Sequence, residues 1–188
     1  MESCEKILEA IEFIRIKHEG QTRNGTGAPY AAHPIAVSYI LASHKSSERI
    51  TELIIASLLH DTLEDTDTTY DEISGVFGGF VASLVKELTN DVVAIKSLGK
   101  LEYHKCKFME LSSYGLTIKL CDRLHNVSDQ PSVKMLHNTI SLIGYVMERR
   151  TLNVPQLTLC DKILSICSKK VAPADSAIDQ AMSASPSL

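Results

Sequence analysis

The chain has 188 residues, 44% of them hydrophobic and 22% charged, with a formal net charge of −4. That length holds one domain and at most a tail; the composition excludes wholesale disorder, and the acidic balance speaks against a nucleic-acid partner. The longest apolar stretch, near Leu53 to Leu59, is far short of the ~20 residues of a membrane-spanning helix. The opening Met1-Glu2-Ser3-Cys4 lacks a signal-peptide pattern, and five cysteines without a Cys-x-x-Cys pair suit a reducing, cytoplasmic setting.

Ile7, Leu8, Ile11 and Ile14 recur at helical spacing, which predicts an amphipathic helix over about residues 4–18, stopped by Gly20. The run from Arg23 to Tyr30 is dense in breakers and reads as a loop. His33-Pro34 opens a second helix reaching about Ser43, with proline at the first helical position and His33 just before it. Ser47-Glu48 marks the next start. Its stripe widens into Leu53-Ile54-Ile55-Ala56, so this helix is central and buried, and it ends in His60-Asp61. Thr69-x-x-Glu72 has capping-box spacing. Gly78-Gly79 precedes a helix over about 80–88, residues 91–99 read as a connection, and helices follow at about 100–113, 115–127, 132–150 and 156–168. Nothing alternates with a strand period, so the class is all-α. From Val171 the composition turns to Ala, Ser, Pro and Asp. Residues 171–188 are expected to be a disordered tail, leaving 1–170 as the domain.

Four ionisable residues stand at element ends or inside apolar helices: His33, His60, Asp61 and Asp122. Burying them without partners is costly. His60-Asp61 either reaches a metal off the helix end or simply finishes the helix. Asp61 and Asp65, and His60 and Glu64, are four residues apart, so the acids line up with the His-Asp pair if the helix continues. A cation would explain the crowding of Asp61, Glu64, Asp65 and Asp67; a solvated acidic loop is the bland alternative. Asp122 is a second carboxylate ligand or half of a surface ion pair with Arg123. Arg23, among glycines, suits a phosphate or the face of a base. His18 reads as a helix-end residue, and His44, His104 and His137 as surface.

Five strings carry a resemblance, in order and at compatible spacing over about residues 5–150. They are Lys17-His18-x-Gly20-Gln21-x-Arg23, Gly27-x-Pro29-Tyr30-x-x-His33-Pro34, Leu58-Leu59-His60-Asp61-x-x-Glu64-Asp65-Thr66, Lys100-x-x-Tyr103 and Lys119-Leu120-x-Asp122-Arg123-Leu124-His125-Asn126. The set resembles the HD-domain phosphohydrolases, whose pattern is His…His-Asp…Asp. Within them it is most similar to the hydrolase domain of the RelA/SpoT alarmone enzymes and their small stand-alone, Mesh1-like forms. The resemblance implies an all-α HD-domain bundle around one divalent metal, usually Mn²⁺. It also implies hydrolysis of the 3′-pyrophosphate of guanosine tetra- or pentaphosphate (ppGpp, pppGpp) to GDP or GTP and pyrophosphate.

By the same resemblance His33, His60, Asp61 and Asp122 are metal ligands. Glu64 and Asp65 orient and deprotonate the attacking water, Arg23 stacks on guanine, and Asn126 contacts the nucleoside, which would lie between Arg23 and Asn126. The departures are Asn24 where the family often has Lys, a loop one residue longer than in the long bifunctional enzymes, and Val127-Ser128-Asp129-Gln130 where many members are basic. They fall on substrate contacts and leave the metal set intact. Two imidazoles and two carboxylates suit Mn²⁺, Fe²⁺, Co²⁺ or Zn²⁺. Such an ion, with Arg23 and Lys119 or Arg123, would draw a polyphosphate to an acidic protein. The alternatives are an HD-type phosphohydrolase of another nucleotide such as NADPH, and a non-catalytic nucleotide-binding domain of the same fold.

Overall fold

The computed structural model describes residues 2–183, with side chains from 3 to 172. Eleven helices follow one another among the described residues: α1 (Glu2–Lys17), α2 (Ala32–His44), α3 (Ile50–Leu58), α4 (Thr62–Asp65), α5 (Tyr70–Phe77), α6 (Gly79–Leu88), α7 (Val92–Leu98), α8 (Lys100–Glu110), α9 (Ser113–Ser128), α10 (Val133–Arg149) and α11 (Val154–Ser183). The described residues form no strand, and one isolated bridge joins Thr22 to Pro29.

Two helices organise the core. α3 buries Leu53, Ile55, Ala56 and Leu58, and packs on α1, α2, α6 and α9. α9 buries Leu116, Ile118, Leu120, Cys121, Leu124 and Val127 against α2, α6, α10 and α11. Helices covered on most sides carry their polar residues inward as well. The first turn of α2, the end of α3 and the middle of α9 therefore meet inside the protein.

Several boundaries differ from expectation for local reasons. α2 starts at Ala32, so His33 and Pro34 are its second and third residues. First-turn N–H groups have no intrahelical acceptor, so proline is harmless there. α3 starts at Ile50, because Ser47 serves a preceding turn: its carbonyl accepts from Ile50 N at 3.1 Å and its hydroxyl from Arg49 N at 3.2 Å. Thr69 caps α5 by accepting from Glu72 N at 3.2 Å, while the Glu72 carboxylate turns to Lys17 at 3.1 Å. The connection expected at 91–99 contains α7, which buries no residue; its signal is the cap Asp91, whose carboxylate accepts from Val93 N and Ala94 N. The tail expected from Val171 begins within α11, whose backbone is helical to Ser183. Residues 184–188 lie outside the described residues.

Candidate metal centre and nucleotide pocket

His33 and His60 are almost wholly enclosed, at 2% and 0% exposure. His33 Nε2 lies 3.2 Å from Asp122 Oδ1 and 3.6 Å from Asp61 Oδ2; His60 Nε2 lies 3.2 Å from Asp61 Oδ2 and 3.9 Å from Asp122 Oδ1. Donor atoms of His33, His60 and Asp122 fall within 4.8 Å of one another, and Asp61 faces the same two imidazole nitrogens. The other nitrogen of each ring is engaged: His60 Nδ1 donates to Ser57 O at 2.7 Å, and His33 Nδ1 bonds His125 Nδ1 at 2.9 Å.

With Nδ1 donating, a neutral His60 turns the lone pair of Nε2 toward the carboxylates. That buried atom has no hydrogen-bond partner. Electron pairs converging on one dry point fit a cation, and a second partner on each imidazole is usual around bound metals. Burial works to raise the Asp122 carboxyl, but the facing His33 and His60 imidazoles and the nearby Lys119 charge hold it well below the usual carboxylate range. Burial works to lower the His60 value, and Asp61 and Asp122 together push it up.

α4 begins immediately after Asp61, which brings Asp65 back over it; Asp65 N bonds Asp61 O at 2.9 Å. The Tyr30 hydroxyl donates to Asp61 Oδ2 at 2.6 Å and lies 3.3 Å from Asp65 Oδ2. Burial, then the Asp61 and Glu64 charges, push the Asp65 carboxyl above its ordinary value. Glu64 points elsewhere: its oxygens accept from Asn90 N at 3.1 Å and Asn90 Nδ2 at 2.9 Å. Tyr30, Asn90 and His125 were not assigned roles from sequence. Tyr30 and His125 stand within the resembling strings; Asn90 carries no such signal.

The loop holding Arg23 is closed by Arg23 N to Ala28 O at 2.8 Å and Gly27 N to Arg23 O at 3.0 Å. Gly25 and Gly27, at φ +92 and +70, supply the left-handed backbone this closure needs. Arg23 Nη2 donates to Asn126 Oδ1 at 2.8 Å and to Asp129 Oδ2 at 3.3 Å, and Asn126 Nδ2 donates to Asp122 Oδ1 at 2.6 Å. Arg23 and Asn126 are thus bonded on one wall rather than standing on two sides of a gap. With its amide donating to Asp122, Asn126 offers its oxygen to the guanidinium. The Tyr30 ring lies 5.8 Å from the guanidinium carbon.

Arg23, Asn24, Tyr30, Asn126, Asp129 and Met135 help line a cavity of about 180 Å³. A second cavity of about 230 Å³ shares Met135 and gathers Lys100, His104, Arg123 and Lys134. Lys119, expected to draw phosphates, is buried and lines neither cavity. His104 is buried rather than on the surface. Burial and the Arg123, Lys119 and Lys100 charges push its imidazole down to about 3. His18 is also buried, bonded to Gln21 and packed on the Tyr30 ring.

The sequence profile of the HD domain matches residues 10–135. The zebrafish (Danio rerio) guanosine-3′,5′-bis(diphosphate) 3′-pyrophosphohydrolase MESH1 is 41% identical over 127 residues, which are 65% of this chain and 68% of that protein. The human (Homo sapiens) MESH1 is 43% identical over 130 residues, 66% and 69% of the two chains. A solved structure described as a metazoan ortholog of SpoT that hydrolyzes ppGpp superposes with a TM-score of 0.69 at 29% identity, covering 85% of this chain and 94% of that one.

Proposed function

This chain belongs to the HD domain family, in its MESH1-like branch, and on that footing we propose that it hydrolyses the 3′-pyrophosphate of guanosine tetra- and pentaphosphate. The observation that carries the reading is one continuous contact chain: Asp122, in the His-Asp cluster, bonds Asn126, which bonds Arg23 at the nucleotide cavity. Chemistry and nucleoside binding are thereby one helical turn apart.

His33, His60, Asp61 and Asp122 would hold one divalent metal, for which we propose Mn²⁺ on the mixed nitrogen and oxygen donors. Bound there, such an ion supplies Lewis acidity, both acidifying a water and neutralising phosphate charge. Asp65 accepts the proton of the attacking water, and Tyr30 keeps Asp61 and Asp65 in fixed relation. Glu64, anchored on Asn90, acts on Asp65 through its charge. Tyr30 covers one side of the Arg23 guanidinium, Asn126 and Asp129 hold its edge, and its open face stacks on guanine. Asn126 brings the nucleoside to the cluster with the 3′ substituent foremost. Lys100, Arg123 and Lys134 receive the 5′ diphosphate in the second cavity.

Residues 1–170 are proposed to form the hydrolase domain, working in the cytoplasm. Burial raises the Cys121 and Cys160 thiols to about 12, so neither serves as a thiolate. Among the described residues no helix is long and apolar enough to cross a membrane.

The test is incubation with guanosine tetraphosphate, with and without Mn²⁺, following GDP and pyrophosphate together. Equimolar, metal-dependent release is expected. Phosphate release from NADPH, with guanosine tetraphosphate untouched, would move the reading to another nucleotide.

A further inference from the structure

α9 ends at Ser128, where its last carbonyls lack partners further along the helix. Lys170 of α11 supplies them: its Nζ donates to the backbone oxygens of Val127 at 2.8 Å, Ser128 at 2.9 Å and Asp129 at 2.8 Å. All three ammonium donors are used, and a cation meets the negative end of a helix. Cys167 and Ile163, one and two turns earlier on the same side of α11, are buried in the core; they seat Lys170 over the end of α9. Asp129, whose backbone is held in this way, is the carboxylate that grips Arg23, at 3.3 Å, beside the Asn126 bond at 2.8 Å.

We infer that Lys170 is a positioning residue for the nucleotide. By fixing the exit of α9 it fixes Asp129, and through Asp129 the orientation of Arg23. The inference rests on the proposed role of Arg23 as the platform for the base. Lys170 lies beyond residues 10–135, which match the HD domain profile, so the brace is contributed from outside that segment. Removing it leaves three carbonyls to water and frees Asp129. The metal cluster keeps its own supports, since Asp122 lies two turns back along α9 against His33 and His60.

Lys170→Met keeps the aliphatic stem and Lys170→Arg keeps the charge. Three quantities are read on each: steady-state pyrophosphate release, Mn²⁺ affinity by titration, and hydrogen exchange of the amides at 127–130. For Lys170→Met the KM for guanosine tetraphosphate should rise roughly tenfold, the scale of one hydrogen bond to a charged group. Turnover and Mn²⁺ affinity should stay within about twofold, exchange at 127–130 should quicken, and Lys170→Arg should recover most of the KM. Asp129→Asn leaves the backbone brace intact and should raise KM without quickening exchange. An unchanged KM overturns the link to Arg23. Parallel losses of turnover and Mn²⁺ affinity, or a Lys170→Met chain that does not fold, overturn the local role in favour of a general structural one. Unchanged exchange overturns the brace itself. Exchange is read without substrate, so the brace is judged separately from the nucleotide reading, which fails only if the unaltered protein releases no pyrophosphate.

Discussion

The candidate metal cluster and the proposed nucleotide pocket sit one helical turn apart on α9, and the chain builds them in different ways. The cluster draws on helix segments covered on nearly every side. His33 and His60 are enclosed, and each ring is pinned through its second nitrogen. The pocket draws on a glycine-bearing loop and the last turn of α9. There Arg23 and Asp129 keep 16% and 19% of their side chains exposed. Metal ligands need positions held to a fraction of an ångström, which burial provides. A platform for a base needs an open face, which burial would close. Asn126 touches both regions, donating to Asp122 and accepting from Arg23.

The comparison breaks most sharply at the acids. Asp65→Asn should lower turnover by about 10²–10⁴ while Mn²⁺ still binds, the range for a lost general base. Glu64→Gln should lose less, because Asn90 already occupies its oxygens. Turnover at saturating substrate and metal separates the two, and near-normal rates in both variants would remove the acids from the chemistry.

Asn126→Ala tests the bridge. It should weaken Mn²⁺ binding roughly 10–100-fold, as loss of a residue bonded to a metal ligand does, and raise KM in the same variant. A change in KM alone, with the metal titration unmoved, would make the two regions independent. Arg23→Ala lies wholly on the pocket side. KM should rise about tenfold with turnover nearly constant, the pattern of lost uniform binding.

The smallest effect concerns stability. Burial, then the Arg123, Lys119 and Lys100 charges, push the His104 imidazole down to about 3 in the folded protein, from an ordinary value of 6.5. Between those values the unfolded chain binds the proton and the folded one does not, so stability falls as pH drops from about 6.5 toward 3. Melting temperatures of His104→Gln should decline less steeply over that window than those of the unaltered protein. Equal slopes would clear His104 as a source of acid sensitivity.

The two regions also differed in how far the sequence disclosed them. His33, His60, Asp61 and Asp122 stood out because polar groups at the ends of apolar helices are expensive unless they meet something. The helices themselves were legible wherever a stripe was buried. α7 buries nothing, so no apolar stripe marks it, and its one local signal is the Asp91 cap. The Arg23 to Asn126 bond joins residues 103 apart in the chain. No spacing rule reaches that far, so both residues were named while the wall they share was not. His104 was read as surface because its enclosure depends on the packing of α8 beside α10, which no pattern on its own helix reveals.

The cluster itself is tested most directly by titrating Mn²⁺ into metal-free protein, unaltered and as Asp122→Ala, with circular dichroism on the same samples. One ion per chain is expected to bind the unaltered protein, and Asp122→Ala should lose that ion while keeping its helical signal. Full occupancy in Asp122→Ala, or no binding by the unaltered chain, would contradict the assignment of His33, His60, Asp61 and Asp122 as the metal site.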